Sequence, residues 1–186
     1  MGADLLSRRA LLLTLASAPW AARAQASAPA EVTAEVPGAR LLGSGRLTFF
    51  GLRVYEARLW VGVGFVAERF SEHPLALELV YARTLYGRLI AERSLEEMKR
   101  IGGFSDEQGE RWLAAMQQAF PDVARGDRIT GVQRPGESAF FFFNGALRGE
   151  VRDAEFTRRF FGIWLAPQTS EPKLRQSLLG SGKAPA

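Results

Sequence analysis

The chain has 186 residues, of which 47% are apolar and 11% aromatic, with a formal net charge of +4; this is enough for one domain with a sizeable core. With no cysteine and a single histidine, His73, it excludes a disulfide framework, thiolate and multi-histidine metal sites, and weakens any histidine-dependent hydrolase reading. The basic residues are mostly arginines scattered along the chain rather than massed, which excludes the electrostatic footprint of a nucleic-acid-binding protein.

The N-terminus reads as an export signal. Ser7-Arg8-Arg9 precedes an apolar run, Ala10 to Ala16, followed by Pro19, Trp20 and small residues. The apolar run is about ten residues, too short to span a bilayer as a helix. Ala22-Arg23-Ala24 and Ala24-Gln25-Ala26 both offer the small-x-small pattern of signal-peptide cleavage. The paired arginines resemble a twin-arginine signal, with an ordinary secretory signal as the alternative. Residues 1–26 are therefore expected to direct the protein to the periplasm. No later run is long and apolar enough for an integral membrane segment after signal removal. Residues 27–40, rich in Ala and Pro, are expected to be a flexible tether. Residues 41–180 are expected to form the domain and residues 181–186 a disordered tail.

Within the domain, Arg46–Phe50 and Arg53–Val61 read as strands separated by Gly51, with Tyr55, Ala57, Leu59 and Val61 on one face. A third strand, Leu75–Arg83, carries an inward row of Leu75, Leu77, Leu79 and Tyr81. Leu85, Leu89, Met98 and Ile101 then fit one side of a helix that stops at Gly102-Gly103. Ser105 and Gln108 form a capping box opening a second helix, with Trp112, Met116 and Phe120 in line and Pro121 at its end. Strands return at Arg128–Arg134, at Phe140–Phe143 and at Leu147–Val151, the last two joined by the hairpin signal Asn144-Gly145. Asp153 caps a helix with Phe156, Phe160, Ile163 and Trp164 inward, and a short helix over Glu171–Leu179 closes at Gly180. This order predicts an α+β fold: a mostly antiparallel sheet with helices packed on one face. Alternation sends Phe140 and Phe142 to one face of their strand and Phe141 and Phe143 to the other, so both faces need cover. A fully buried central strand and an apolar ligand cleft both satisfy that need.

Several stretches carry a family resemblance: Gly43-Ser44-Gly45 leading into Arg53 to Trp60, Phe120-Pro121-Asp122-Val123, Gly126-Asp127, Phe143-Asn144-Gly145, Gly149, Ile163-Trp164-Leu165 and Leu178-Leu179-Gly180. Their order and spacing resemble the bacterial chalcone isomerase-like proteins over roughly residues 41–180. The resemblance implies a chalcone isomerase-like open-faced β-sandwich, a large curved antiparallel sheet with helices over one side. It also implies two activities: intramolecular lyase chemistry on an enone, or binding of a fatty acid whose carboxylate is held by an arginine and a tyrosine.

On that pattern an arginine is expected just after the Gly43-Ser44-Gly45 turn. Arg46 is the nearest, although ungapped spacing to Tyr55 points to Leu47, and a one-residue slip reverses the face. Glu56 stands near the place of a family threonine, and a carboxylate beside an enolate opposes the lyase chemistry. Tyr86 falls near the family tyrosine. Arg83, at the end of an inward row, could bind an anionic head group or pair with Glu92 or Glu78. Tyr55 lies on an inward face. Arg46, Tyr55, Arg83 and Tyr86 are thus the candidate ligand-binding residues, with no cofactor or metal expected. Glu96 and Glu97 beside Lys99 and Arg100 read as a solvated helix face. The leading expectation is non-catalytic binding of a fatty acid or similar small amphiphilic or aromatic ligand. The lyase, and an envelope protein acting through an unidentified protein partner, are the alternatives.

Overall fold

The structure is a computed structural model that describes residues 27–180. The expected export signal at 1–26 and tail at 181–186 lie outside the described residues. Six strands form one antiparallel sheet in sequential order: β1 (Arg40–Phe49), β2 (Leu52–Val61), β3 (Leu75–Tyr81), β4 (Arg128–Arg134), β5 (Ser138–Phe143) and β6 (Ala146–Val151). Among the described residues, five α-helices accompany it: α1 (Ala30–Glu35), α2 (Gly87–Ile101), α3 (Asp106–Ala119), α4 (Ala154–Leu165) and α5 (Pro172–Leu178). A 3₁₀ segment, Ala67–Glu72, lies between β2 and β3. No helix among the described residues is long and apolar enough to cross a membrane.

Local chemistry sets the helix ends. Ser105 accepts from the Gln108 amide at 3.2 Å while the Gln108 side chain accepts from the Ser105 amide at 3.1 Å, completing the capping box of α3. Asp153 caps α4 by accepting from the Glu155 and Phe156 amides, and its other oxygen takes the Trp112 indole N–H at 2.8 Å, tying α3 to α4. Asp122 accepts from the Gly87 amide at 2.8 Å and so caps α2 from the far side of α3. Leu85, expected within α2, stands before it and bridges to Val123.

Helices α2 to α5 cover one face of the sheet. Their side chains, including Met98, Trp112, Met116, Phe156, Phe161 and Leu178, meet the inward row of β2 and β3 in one large core. Phe141 sits in this core within about 5–6 Å of Phe120, Phe156 and Phe160, mostly edge to face. The strand β1 is longer than the sequence pattern indicates. Gly43 and Gly45 lie inside it rather than in a turn, because α5 packs directly across them: a Cβ at Gly43 would collide with the Ser177 and Leu178 carbonyls.

The other face of the sheet is not left open. The stretch 27–40, expected to be a flexible tether, instead supplies α1, and the strand β1 begins at Arg40. Val32 of α1 and Val36, the residue that ends it, are fully buried against Trp60, Ala76, Val132, Phe140 and Phe142. Both faces of the four-phenylalanine strand are therefore packed, as alternation requires. Polar groups fasten the helix. Buried Glu31 accepts from Arg128 at 2.8 Å and Thr130 at 3.0 Å, and Arg134 bonds Glu35 at 2.7 Å. Glu78, also buried, takes the Trp60 indole N–H at 2.9 Å with Arg58 3.6 Å away. A short apolar Ala- and Pro-containing segment carries little helix signal on composition, so its order depends on these partners across the sheet.

Candidate functional site: an apolar cavity under the helical face

Between the sheet and helices α2 and α4 lies a cavity of about 380 Å³, within the range of roughly 300–1,000 Å³ usual for small-molecule sites. Its floor is Tyr55, Leu79, Tyr81 and Ile129 from the sheet, and its roof Ile90 and Ser94 of α2 with Phe160, Ile163 and Trp164 of α4. Leu47, Phe49 and Leu89 stand at its side and mouth. On α2 the cavity is met by the small side chain of Ser94, where a larger apolar side chain would fill the space. The wall is mostly hydrocarbon and aromatic, so water inside finds few partners and an apolar ligand loses little by entering.

Polar groups gather at separate points. Tyr55 is buried, and its hydroxyl oxygen accepts from the Trp164 indole N–H at 2.9 Å, leaving the phenolic proton available to a ligand. Tyr81 is buried edge-on to Tyr55, with ring centroids 6.0 Å apart. Both phenols are held well above their ordinary value of 10.0, mainly by burial. They stay protonated and serve as donors rather than bases. Arg93 and Glu97 of α2 also line the cavity and pair at 2.5 Å. Glu97 is buried, with Arg100 3.4 Å from its other oxygen, and that oxygen has no hydrogen-bond partner among the described residues. Ser94 donates to the Ile90 carbonyl of its own helix at 2.8 Å.

The four candidate residues separate into two pairs. Tyr55 and Arg83 line the cavity. Arg83 is exposed at the mouth; Glu92 is taken by Arg88 at 2.6 Å, and Glu78 by Trp60 and Arg58, so neither expected carboxylate partners Arg83. Arg46 is exposed and does not line the cavity; Leu47, one residue on, does. Alternation along β1 accounts for this reversal, since neighbouring side chains leave opposite faces. Tyr86 is at the N-cap of α2, 62% exposed and outside the lining. Glu56 also faces away, accepting from Arg58 at 3.0 Å. None of the four phenylalanines of β5 lines the cavity; they adjoin its wall through Phe120 and Phe160, which contact Phe141, and through Ile129, which pairs with Phe143.

Other cavity residues carry weak sequence signals. Glu97 reads as part of a charged face with Glu96, Lys99 and Arg100, yet it lies three residues from Ser94, on the same side of α2. Helical spacing from Ala91 and Ser94 is the signal that points to it. Arg93 gives none, because its side chain is 63% exposed and reads as one more surface charge.

Comparisons with known proteins agree with this architecture. The chalcone isomerase-like family profile matches residues 24–180. An uncharacterised protein of Haemophilus influenzae is 30% identical over 143 residues, spanning 77% of this chain and 69% of that one. The crystal structure of a fatty-acid binding protein of Arabidopsis thaliana superposes with a TM-score of 0.60 at 16% identity, covering 78% of this chain and 88% of that one. With a profile match across nearly all of the described fold and the expected sheet and helix layers in place, the chain belongs to the chalcone isomerase-like family.

Proposed function

We propose that this protein binds a fatty acid or a similar single-chain amphiphile without transforming it, and that it does so in the periplasm. One observation carries the binding reading: an apolar cavity of about 380 Å³ with a guanidinium at its mouth, Arg83, that has no ion-pair partner among the described residues. A hydrocarbon chain would lie between Ile90, Ile163 and the sheet. Each methylene moved from water into such a wall contributes about 0.8 kcal/mol, so a medium or long chain supplies most of the affinity. Arg83 would hold the carboxylate in contact with water, where ion pairing needs no full desolvation. Glu97, already paired with Arg93, opposes a second anion deep in the cavity and so sets the ligand's direction, tail inward and head outward. The fatty-acid binding of the Arabidopsis neighbour supports this reading by analogy of fold. The N-terminal signal pattern supports the location.

Non-catalytic binding fits the chemistry of the wall. The two phenols are proton donors held far from ionisation, and the lining includes no histidine. Native mass spectrometry and lipid extraction of purified protein test the proposal. A bound acid, or stoichiometric uptake of hexadecanoate after delipidation, is expected. Arg83→Ala should weaken uptake of the acid about tenfold while leaving that of the matching alcohol unchanged. A delipidated protein that takes up neither would overturn the reading.

A further inference from the structure

The two hairpins of the sheet that turn on two residues make an informative contrast. At the β5–β6 turn, Asn144 (φ 48°) and Gly145 (φ 89°) both adopt positive φ. Asparagine suits that conformation, and here it also accepts from the Arg128 amide at 2.8 Å and donates to Asp127 at 3.0 Å. At the β1–β2 turn the same pair of conformations falls on Phe50 (φ 47°) and Gly51 (φ 75°). A bulky side chain is disfavoured there. Phe50 is moreover 89% exposed, and a Cβ on Gly51 would meet nothing within 4 Å, so the turn projects into solvent. Neither local conformation nor packing within the described fold accounts for a phenylalanine at this tip.

Phe50 has company. Phe49, in edge contact with it at 4.5 Å between centroids, and Leu52 are also exposed. Across the cavity mouth stand Leu89 and, one turn back along α2, Tyr86, both exposed. Phe49 and Leu89 line the cavity itself, so the patch is continuous with the opening. Arg53, next to Leu52, and Arg83, at the cavity mouth, are exposed without an ion-pair partner among the described residues. Aromatic and aliphatic tips with the guanidinium groups of Arg53 and Arg83 beside them match the headgroup–acyl boundary of an anionic membrane, where the rings enter the hydrocarbon edge and the guanidinium groups meet lipid phosphates.

We infer that the β1–β2 hairpin tip is a membrane-docking element that sets the cavity mouth against an anionic lipid surface, so that an acyl ligand passes between bilayer and cavity. The transfer role rests on the acyl-binding reading above; the docking does not.

The absence of cysteine allows a direct test on the full chain. An environment-sensitive fluorophore is attached to Leu52→Cys at the tip, or to Val63→Cys, an exposed residue at the opposite end of β2. Each protein is mixed with vesicles of equal parts phosphatidylglycerol and phosphatidylcholine, or of phosphatidylcholine alone. A blue shift at position 52 with the anionic vesicles, and none at 63, is expected. Adding Phe50→Asn should lower the apparent vesicle affinity about tenfold, while the protein folds at least as stably because asparagine suits the turn. No shift at 52, an equal shift at 63, or retention of the shift in the Phe50→Asn protein overturns the inference. So does a shift that follows protein concentration without lipid, which would assign the tip to a second copy of the chain. Hexadecanoate titration of the same proteins separates the two proposals. Uptake without vesicle response defeats the docking alone, and vesicle response without uptake defeats the cavity reading alone.

Discussion

Ser94→Phe separates an empty binding cavity from a loosely packed core. Ser94 lines the cavity, is buried, and spends its hydroxyl on the Ile90 carbonyl one turn back. That carbonyl keeps its helical amide partner, so removing the hydroxyl costs about 0.5–1 kcal/mol. A phenyl ring placed in the cavity gains about 1.5–3 kcal/mol from leaving water. The two terms leave the variant about 1–2 kcal/mol more stable, a rise of a few degrees in melting temperature for a domain of this size. The same ring occupies the space of a ligand chain, so affinity for hexadecanoate should fall by more than about tenfold. Thermal melting of delipidated protein and titration with the acid measure both, with Ser94→Ala as the control that removes the hydroxyl without filling the space. Stability and binding must move in opposite directions. A variant that binds as tightly as the parent would show that the ligand lies elsewhere, and one destabilised by about 1–3 kcal/mol would show that the space was already filled.

Other perturbations probe the frame around the cavity. Tyr55 and Tyr81 keep their protons in the folded state well above pH 10, whereas the unfolded phenols lose theirs there. The unfolded state then binds fewer protons, so stability is intact below about pH 10 and falls above it by about 1.4 kcal/mol per pH unit for each tyrosine. Urea titrations across that range should show the slope halved in Tyr81→Phe; an unchanged slope would contradict the burial of that hydroxyl. On the opposite face, Glu31→Ala removes the acceptor that holds Arg128 and Thr130 under α1. Arg128 retains some access to water, so the loss should be about 2 kcal/mol, below the about 3–5 kcal/mol of a fully buried broken pair. Denaturation showing no loss would mean that α1 does not secure this face.

The strands, their mostly antiparallel sheet and most helix ends were legible because each is signalled locally. Alternation placed the inward rows of β2 and β3, Ser105 and Asp153 announced their helices, and Asn144-Gly145 announced its hairpin. The α1 segment was not legible: a six-residue helix is too short to declare itself, and its order depends on Glu31 reaching residues about a hundred positions away. The cavity was half legible. Tyr55 and Arg83 follow from strand alternation, whereas Arg46 misses the cavity by one residue: the family spacing points to Leu47, and it is Leu47 that pairs with Tyr55 and lines the cavity. Glu97 was hidden by its charged neighbours. A void is a property of how α2 and α4 lie on the sheet, and no local pattern encodes it.

Photo-crosslinking with a hexadecanoate that carries a diazirine near its methyl end is the most direct measurement. Delipidated protein is irradiated with the probe, digested, and its modified residues are mapped. The account predicts labels on the cavity wall, foremost Ile90, Ile163 and Leu79, abolished by Ser94→Phe and by excess unlabelled acid. Labels scattered over the outer surface, or labelling unaffected by Ser94→Phe, would contradict the claim that an acyl chain lies between α2, α4 and the sheet.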